Sequence, residues 1–560
     1  MGRLIGTPRV DEAAEGAPHI KALFIPLAVQ NFLMAYTSTA MNVALADIIR
    51  DLGTTLTAVQ SVISLYALVI AAFVIAGSKL GARRGHWRVF IAGAEIFALG
   101  SLVTALAPGI GALMIGWSLL LGIGVALMLP ALLSLLTATL SGTSRTKALA
   151  LIGTIGGLGA AAGPLLGGVI THYLSWRASF LMSAVLSVVV VLLLRRAGDP
   201  EPRHERPRQP FDLPGAALSA LGCGLLVVAT LLAGRYGLLT ARHDFEAFGR
   251  TLLPQGGLSP VALFGLIGVM LLGAFAAWEL RLVKRAGDPL VRVSVLSNRT
   301  VRFASATQAL QYLVPAGALF LLPVFVQTTL GFNALRCGLV LLPTTLGLVT
   351  AAPVVTKLVT NGRMTQRAAQ AWSFLLMISG CVLIVAMFRP YEQGVFSTGL
   401  GFAPGLFLFG LGQGMSTTLT DLVQSAPPPH EVSDVAGLSR SGNYLGSAMG
   451  IALAGALMTV TLLYSFEAGV DQSTVLTGGE KKIVKETLER QVQLTAAGDE
   501  TLRERLRARG VRDAAADELV RINARARDRA LTSGIIGMVV LAVGGCLVAL
   551  RIPRTPVEAK

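Results

Sequence analysis

The stretch GLGAAAGPLLGGVITHYLSWRASF, residues 157–180, repeats glycine every fourth residue and places one proline among the glycines. Residues four apart lie on the same side of a helix, so the small residues would form a smooth face. Such a face allows a neighbouring helix to approach closely, and the proline loosens a helical turn. The stretch therefore predicts a helix at a close, rocking interface. The residues expected there are Gly159, Gly163, Pro164, Gly167 and Gly168.

The composition places the whole chain in a membrane. Of its 560 residues, 53% are hydrophobic and only 14% are charged, whereas about a quarter of the residues of a soluble domain are charged. The charges lie in short islands between apolar runs of about 20 residues, the length at which a helix crosses a bilayer. Backbone groups must be paired within such a run, so each run is expected to be helical.

Fourteen apolar runs are candidate spans, the first at 22–46 and the last at 531–550. The first run is too long for a removable signal peptide and lacks a small-residue cleavage pattern. The four cysteines are scattered in or beside the spans, so neither a disulfide nor a metal site is expected. We therefore expect an all-α integral membrane protein with fourteen transmembrane helices.

A basic stretch at 77–90, GSKLGARRGHWRVF, separates the second and third spans and contains no acidic residue. Because loops rich in Lys and Arg stay in the cytosol, this turn and both tails, 1–21 and 552–560, are expected to be cytosolic. The net charge of +16 then follows from the topology, which argues against nucleic-acid binding. The expected hinge residues are Lys79, Arg83, Arg84, Gly85 and Arg88.

The segment 465–530 is long and polar, and the same topology places it outside the cytoplasm. Its apolar residues recur at helical spacing, and its acidic and basic residues nearly balance. We expect a solvated helical hairpin between the thirteenth and fourteenth spans. A lid that gates access and a docking site for a periplasmic partner are the alternatives.

The glycine stretch, with Trp176 and Arg177 after it, resembles the motif G-x-x-x-G-P-x-x-G-G of the major facilitator superfamily. The following Trp-Arg pair is similar to that of its fourteen-helix drug:proton antiporters (EmrB/QacA type). Ordinary small-residue packing would explain the glycines but not the whole run. Further resemblance is found in NVALADIIRDLG at 42–53, LGIGVALMLPALL at 121–133, FDLPGA at 211–216 and DPLVRVSVLSNRT at 288–300.

The resemblance implies a major facilitator fold of two six-helix bundles, at 22–194 and 302–551. Loops and two inserted helices would occupy 195–301 between them. The substrate path would lie between the bundles and open alternately to each side. No G-x-x-x-x-G-K-[ST] phosphate-binding motif occurs, so ATP is not expected to drive transport directly. No cofactor is expected, and a proton gradient is the candidate energy source.

Three positions that carry a charge in the family pattern are neutral here. Ala82 replaces an aspartate of the cytosolic hinge, Thr37 an aspartate of the first helix, and Ser118 an arginine of the fourth helix. Since charges at bilayer depth are retained when they have a function, these replacements weaken the expectation of proton coupling.

Three charged residues inside spans remain as coupling candidates. Asp421 is interpreted either as a coupling or gating residue or as a structural partner of Arg440. Glu95 is either a coupling residue or a carboxyl packed in the third helix.

Polar residues on otherwise apolar helices are candidates for a cavity lining, with interhelical hydrogen bonding as the alternative. The first helix contributes Gln30, Asn31, Met34, Thr37, Ser38 and Asn42. The ninth contributes Gln308, Gln311 and Tyr312, and the twelfth contributes Gln413 and Thr417.

These features favour a secondary transporter, not an enzyme, that exports hydrophobic or amphipathic compounds from a bacterium across its inner membrane. Its expected partners are a small amphipathic substrate, the bilayer and, as a candidate, a periplasmic adaptor. One alternative is a weakly coupled or uncoupled carrier of lipid-like solutes. The other is a degenerate carrier that acts as a sensor or scaffold without transport.

Overall fold

The computed structural model describes residues 17–140, 142–199, 212–237, 239–241, 244–247, 250–285, 289–387, 399–425, 432–481, 484, 502–503 and 512–553. This part of the chain is almost entirely helical. The long helices are α1 (Ala17–Val43), α2 (Leu56–Arg84), α3 (His86–Ala105), α4 (Ile110–Thr139), α5 (Gly142–Tyr173), α6 (Trp176–Ala197), α7 (Leu213–Tyr236), α8 (Pro260–Lys284), α9 (Arg299–Thr328), α10 (Ala334–Thr360), α11 (Gln366–Met387), α12 (Ala403–Met415), α13 (Val432–Gln472) and α14 (Asp513–Ala549). One strand pair, Phe245–Ala247 with Arg250–Leu253, lies between α7 and α8.

Among the described residues, twelve helices are long and apolar enough to cross a membrane. The number is thirteen if α1 and the short helix Leu45–Asp51, bent by 68° from it, form one span. At the predicted twelfth span the chain forms α12 of 13 residues, a 3₁₀ turn and the short helix Leu419–Ser425. The predicted total of fourteen therefore stays a prediction.

Contacts between helices define two groups. In the first group α1 packs against α5 and α6, α2 against α4, and α3 against α4 and α6. In the second group α9 packs against α13 and α14, while α12 packs against α10 and α11. α7 and α8 pack on each other, and α7 also contacts α2 and α13. We call α1–α6 the first bundle and α9–α14 the second; they meet chiefly through α2 with α13 and α5 with α10.

The basic turn between α2 and α3 consists of one residue, Gly85. Its φ of +101° lies in the region that favours glycine, because a side chain there would clash with the backbone. The basic residues therefore gather at one end of the first bundle. Lys79 and Arg83 are half-buried there, and Arg84 and Arg88 are exposed.

The opposite end of the first bundle is held by the Trp-Arg pair that follows the glycine stretch. Trp176 donates its Nε1–H to Asp51 Oδ2 at 2.9 Å, and a guanidinium nitrogen of Arg177 lies 3.0 Å from the same oxygen. Arg177 also donates to the carbonyl of Ala107 at 2.9 Å. The start of α6 is thereby fixed to the α1–α2 and α3–α4 connections.

α13 and α14 run past the predicted span limits of 464 and 531. They pack on each other in this region, where a Cβ on Gly469 would lie 2.5 Å from Cγ2 of Ile522. Residues 465–472 and 513–530 are thus continuations of the two helices, because apolar residues keep helical spacing beyond the membrane-length run. The remainder of the expected hairpin includes residues 482–483, 485–501 and 504–511, which are outside the described residues.

Arg512 and Glu480 join the two ends of this connection. The guanidinium donates to both carboxylate oxygens, at 2.9 and 2.8 Å. The N–H of Thr477 donates to the same carboxylate at 2.9 Å. This contact fixes the residues before α14 against those after α13.

Candidate functional site

Most of the predicted glycine face lies inside the first bundle, where it packs α5 on α1. A Cβ on Gly159 would lie 2.5 Å from the carbonyl oxygen of Phe32, and a Cβ on Gly163 would overlap the Thr39 hydroxyl. That hydroxyl donates to the carbonyl of Ala160 at 3.0 Å. The expectation of a rocking interface was wrong for three residues, because their neighbour is α1. These residues are Gly159, Gly163 and Gly167.

The adjoining face of α5 does contact the second bundle. A Cβ on Gly168 would lie 2.7 Å from the carbonyl oxygen of Ala334 at the start of α10. Where α10 crosses Pro164, a Cβ on Gly338 would overlap the proline carbonyl oxygen. Pro164 and Gly168 therefore lie where the two bundles touch.

Two further contacts close the bundles at this same end. Gln327, near the end of α9, accepts from the backbone N–H of Ala46 at 3.0 Å. Gln60, in the first turns of α2, donates to the carbonyl of Ile451 on α13 at 3.1 Å. Contacts between the bundles therefore concentrate at the end opposite Gly85.

Toward the Gly85 end α5 and α10 separate. Gly153 and Gly157 share the face of α5 that carries Pro164 and Gly168, yet an added Cβ at either would meet nothing within 4 Å among the described residues. On the facing side of α10, Val349 is 43% exposed. The space between the bundles is thus open at the Gly85 end, and we call it the cleft.

One strip of α13 faces the cleft. Ser439 and Gly446 contact α9, while Ser441 donates to the carbonyl of Ala71 on α2 at 2.7 Å. Arg440 and Tyr444, one turn apart, lie on the strip between these two contact faces, and both are half-buried.

Tyr312 of α9 adjoins this strip. It is 45% exposed although α9 is otherwise mostly buried, and it lies within electrostatic range of Arg440 and Tyr444. Tyr66 of α2 lies within the same range of Tyr444 from the first bundle. The phenols of Tyr312 and Tyr444 therefore lie near the guanidinium of Arg440, and Tyr66 approaches Tyr444 from the first bundle.

The first-bundle side of this region is neutral. Tyr66 stacks on Trp117, with ring centroids 4.7 Å apart and an angle of 10° between the planes. Ser118 donates to the carbonyl of Val62 at 2.8 Å, and Thr37 donates to the carbonyl of Leu33 at 2.9 Å. Both hydroxyls are thus satisfied by backbone carbonyls at the positions where the family pattern has charges.

The sequence profile of the Major Facilitator Superfamily matches residues 27–451. The chain belongs to this superfamily. This match confirms the predicted all-α membrane fold and the predicted relation to the superfamily. The chain is a multi-pass membrane transporter and not an enzyme.

Two relatives illustrate the similarity within the superfamily. The puromycin resistance protein pur8 of Streptomyces alboniger is 28% identical over 459 residues, which cover 81% of this chain and 85% of the relative. The cephamycin export protein CmcT of Amycolatopsis lactamdurans is 28% identical over 438 residues, which cover 77% and 83%.

Solved structures share the superfamily fold at low sequence identity. A bacterial homolog of the human lysosomal transporter Spinster, in an inward-facing and unoccupied conformation, superposes with a TM-score of 0.59 at 15% identity. The match covers 96% of this chain and 98% of that one. The peptide transporter POT in complex with sulfate gives a TM-score of 0.57 at 16% identity, over 85% and 93%. These similarities concern the fold alone.

Two of the predicted lining amides in this superfamily member are packed inside the first bundle. Gln30 is fully buried and accepts from the Ser187 hydroxyl of α6 at 3.0 Å. Asn31 donates to the carbonyl of Ile152 on α5 at 2.8 Å. The cavity interpretation was wrong for both, because each amide meets a partner on a helix of its own bundle.

The predicted amides of α9 behave in the same way. Gln308 donates to the Thr420 hydroxyl at 2.9 Å and accepts from Ser439. Gln311 donates to the side-chain oxygen of Gln370 on α11 at 2.6 Å. Both join helices of the second bundle and do not line the cleft. Of the remaining candidates, Met34 and Thr37 are buried, Ser38, Asn42 and Gln413 are half-buried, and Thr417 and Tyr312 are exposed.

Glu95 lies apart from the other predicted coupling residues. Glu95 forms an ion pair with Arg195 of α6, and its side chain is 42% exposed. The expectation of a packed carboxyl was therefore wrong, because α6 supplies a cation at the bundle surface. Asp421 belongs to the short helix Leu419–Ser425, but its side chain lies outside the described part, so its pairing with Arg440 stays a prediction.

Sequence reasoning missed the aromatic surroundings of Arg440. Tyr444 follows Arg440 by four residues, a spacing that places both on one face, so it could have been found. Tyr66 and Trp117 gave no such signal, because their stacking joins two helices that are distant in the sequence.

Proposed function

We propose that this transporter exports amphipathic, drug-like compounds by alternating access between its two bundles. The observation that supports this proposal is the asymmetry of one α5 face. This face touches α10 at Pro164 and Gly168, but at Gly153 and Gly157 an added Cβ would meet none of the described residues within 4 Å. A substrate path that is closed at one end and open at the other is what one state of such a cycle requires.

The orientation belongs to the proposal. The open end carries the basic turn at Gly85, and loops rich in Lys and Arg remain in the cytosol. We therefore assign the described state as inward-facing, with both termini cytosolic in a bacterial inner membrane. The prolonged ends of α13 and α14 would then project outside, where a periplasmic adaptor could bind.

The names of the relatives support a drug-like substrate. One is a puromycin resistance protein and the other a cephamycin export protein, and each matches most of this chain.

A weakly coupled or uncoupled carrier of lipid-like solutes is the second candidate. It is favoured by the neutral residues Thr37, Ser118 and Ala82 at positions that are charged in the family pattern. Proton coupling would then require other groups.

Everted membrane vesicles that contain the transporter test both candidates. We expect a panel of fluorescent amphipathic dyes to include compounds that accumulate in the vesicles, and accumulation to stop in Gly338→Leu. If a protonophore abolishes dye accumulation, transport is coupled to the proton gradient. If the dye only equilibrates across the membrane, at a rate that the protonophore does not change, the uncoupled carrier is supported. If no dye moves faster than in vesicles without the protein, transport of this class of compound is refuted.

A further inference from the structure

Arg440 places a positive charge inside the predicted thirteenth span, on the strip of α13 that faces the cleft. Arg440 is half-buried and lies near the start of α13, eight residues after Val432. A charge inside a membrane-spanning segment is costly and is retained when it has a partner or a task.

The described surroundings of Arg440 do not neutralise this charge. Among the side chains that the structure describes, the ionisable groups that act on it are the phenols of Tyr312 and Tyr444. None of the ion pairs among the described residues involves Arg440. Phenols are uncharged near neutral pH, so they supply hydrogen bonds but no counter-charge.

We infer that Arg440 binds the acidic group of an amphipathic anion that enters the cleft. This inference rests on the proposed transport function. A guanidinium presents a planar set of donors that matches a carboxylate, sulfonate or phosphate. Tyr312, 45% exposed beside it, offers a hydroxyl donor and an aromatic face for the apolar portion.

The neutral first bundle makes the cleft selective for this charge. Thr37 stands where the family pattern has an aspartate, and its hydroxyl donates to a backbone carbonyl, so it contributes no carboxylate that would attract a cation. Ser118 also donates to a backbone carbonyl and contributes no charge of either sign. With Arg440 as the cation on the cleft-facing strip of α13, the local field favours an anion over a neutral or cationic analogue of the same shape.

A matched pair of probes isolates the charge. The full-length protein in nanodiscs of phosphatidylcholine is titrated with 1-pyrenebutyric acid and with 1-pyrenebutanol at pH 7.5, and binding is followed by pyrene fluorescence. We expect the acid to bind more tightly than the alcohol by about 10-fold or more, since a charge-assisted contact with a guanidinium is of this size. Equal affinities for the two probes in the wild-type protein would overturn the inference.

Variants assign the effect to this arginine. Arg440→Gln should weaken binding of the acid by roughly 10- to 100-fold and change binding of the alcohol less than about twofold. Arg440→Lys keeps the positive charge and should retain part of the preference for the acid over the alcohol. This variant tests the site even if Arg440→Gln does not fold. Arg302→Gln removes an exposed arginine of α9 and should change neither affinity. If Arg440→Gln weakens binding of the acid and the alcohol equally, and Arg440→Lys binds the two probes with the same affinity, Arg440 is not the binding site for the acidic group.

The same nanodiscs distinguish two sources of the acidic group, a lipid headgroup and a free solute. If the natural occupant is a lipid headgroup, adding phosphatidylglycerol to the nanodiscs should displace the pyrene acid from the wild-type protein but not change the residual binding of Arg440→Gln. If it is a free solute, the lipid should have no effect. Because binding is measured without transport, a selective site in a protein that moves nothing would refute the proposed function and leave the site intact.

Discussion

Gly338 of the second bundle lies so close to Pro164 of the first that a Cβ on Gly338 would overlap the proline carbonyl oxygen. The two helices approach at a point where one lacks a side chain and the other presents a carbonyl. Small residues permit such backbone contact between helices in a membrane, and bulk there must separate them. The closed end of the cleft therefore depends on what occupies position 338.

Gly163 differs from Gly338 because its neighbour is in the same bundle. A larger side chain at 163 would displace the Thr39 hydroxyl from its hydrogen bond to Ala160. We expect Gly163→Leu to destabilise the protein by about 1–3 kcal/mol or more. Thermal unfolding in detergent measures this, with Gly224→Leu as the control, because an added Cβ there meets none of the described residues within 4 Å. An unchanged unfolding temperature in Gly163→Leu would contradict the packing of α5 on α1.

Helix geometry explains which of these contacts the sequence could predict. The glycine spacing correctly indicated close packing, since Gly159, Gly163 and Gly167 share one face. Gly168 and Pro164 lie on an adjoining face about a quarter of a turn away. The pattern along one helix does not say which helix faces each side, so the first three were assigned to the wrong interface.

The polar residues show the same limit. Gln30 and Gln311 have the spacing of a cavity lining, yet each finds a hydrogen-bond partner on another helix, Ser187 and Gln370 respectively. Only the three-dimensional arrangement shows whether such a partner exists. The fold itself was predictable, because its motifs occur in order along the chain and do not depend on pairing between distant residues.

Topology can be tested by cysteine labelling after the four native cysteines are replaced. Ala82, exposed beside the basic turn, should as Ala82→Cys resist a membrane-impermeant thiol reagent in intact cells. Val475, 43% exposed beyond α13, should react as Val475→Cys. Both cysteines should react in permeabilised cells, which controls for reactivity. The reverse pattern in intact cells would overturn the inward-facing assignment.

The contact between Glu480 and Arg512 gives a pH prediction for the connection between α13 and α14. The hydrogen bond from Arg512, with those from Thr477, lowers the pKa of Glu480 from about 4.5 to about 2. Because the pKa in the folded state is lower, the stabilisation is fully present above about pH 4.5 and is lost as the pH falls through about 2.

Hydrogen exchange measures this effect in the first turns of α14, corrected for the intrinsic pH dependence of exchange. Protection there should persist from pH 6 to pH 3 in the wild-type protein. Arg512→Gln removes the contact itself and should lower this protection throughout the range from pH 6 to pH 3. Arg503→Gln, which removes an exposed ion pair with Asp517, is the control. Identical pH profiles for Arg512→Gln and the wild type would show that the contact does not order this segment.

The α5 face touches the second bundle at one end and is open at the other, so a glycine-to-leucine change at each end should have opposite effects. Gly338→Leu should disfavour the described state, because leucine cannot fit against Pro164. At Gly157 an added Cβ meets none of the described residues within 4 Å, so Gly157→Leu should leave this state unstrained and disfavour the state in which the open end closes. Each substitution should shift the equilibrium between the two states by about 5- to 150-fold, the range of a 1–3 kcal/mol bias.

Distance distributions between spin labels at the Gly85 end measure this equilibrium. They should shift toward short separations in Gly338→Leu and toward long separations in Gly157→Leu. Both variants should lose transport while remaining folded, since a cycle needs both states. If both substitutions shift the distances in the same direction, the bundles do not exchange contacts along this face, and the open end is a permanent feature of the molecule.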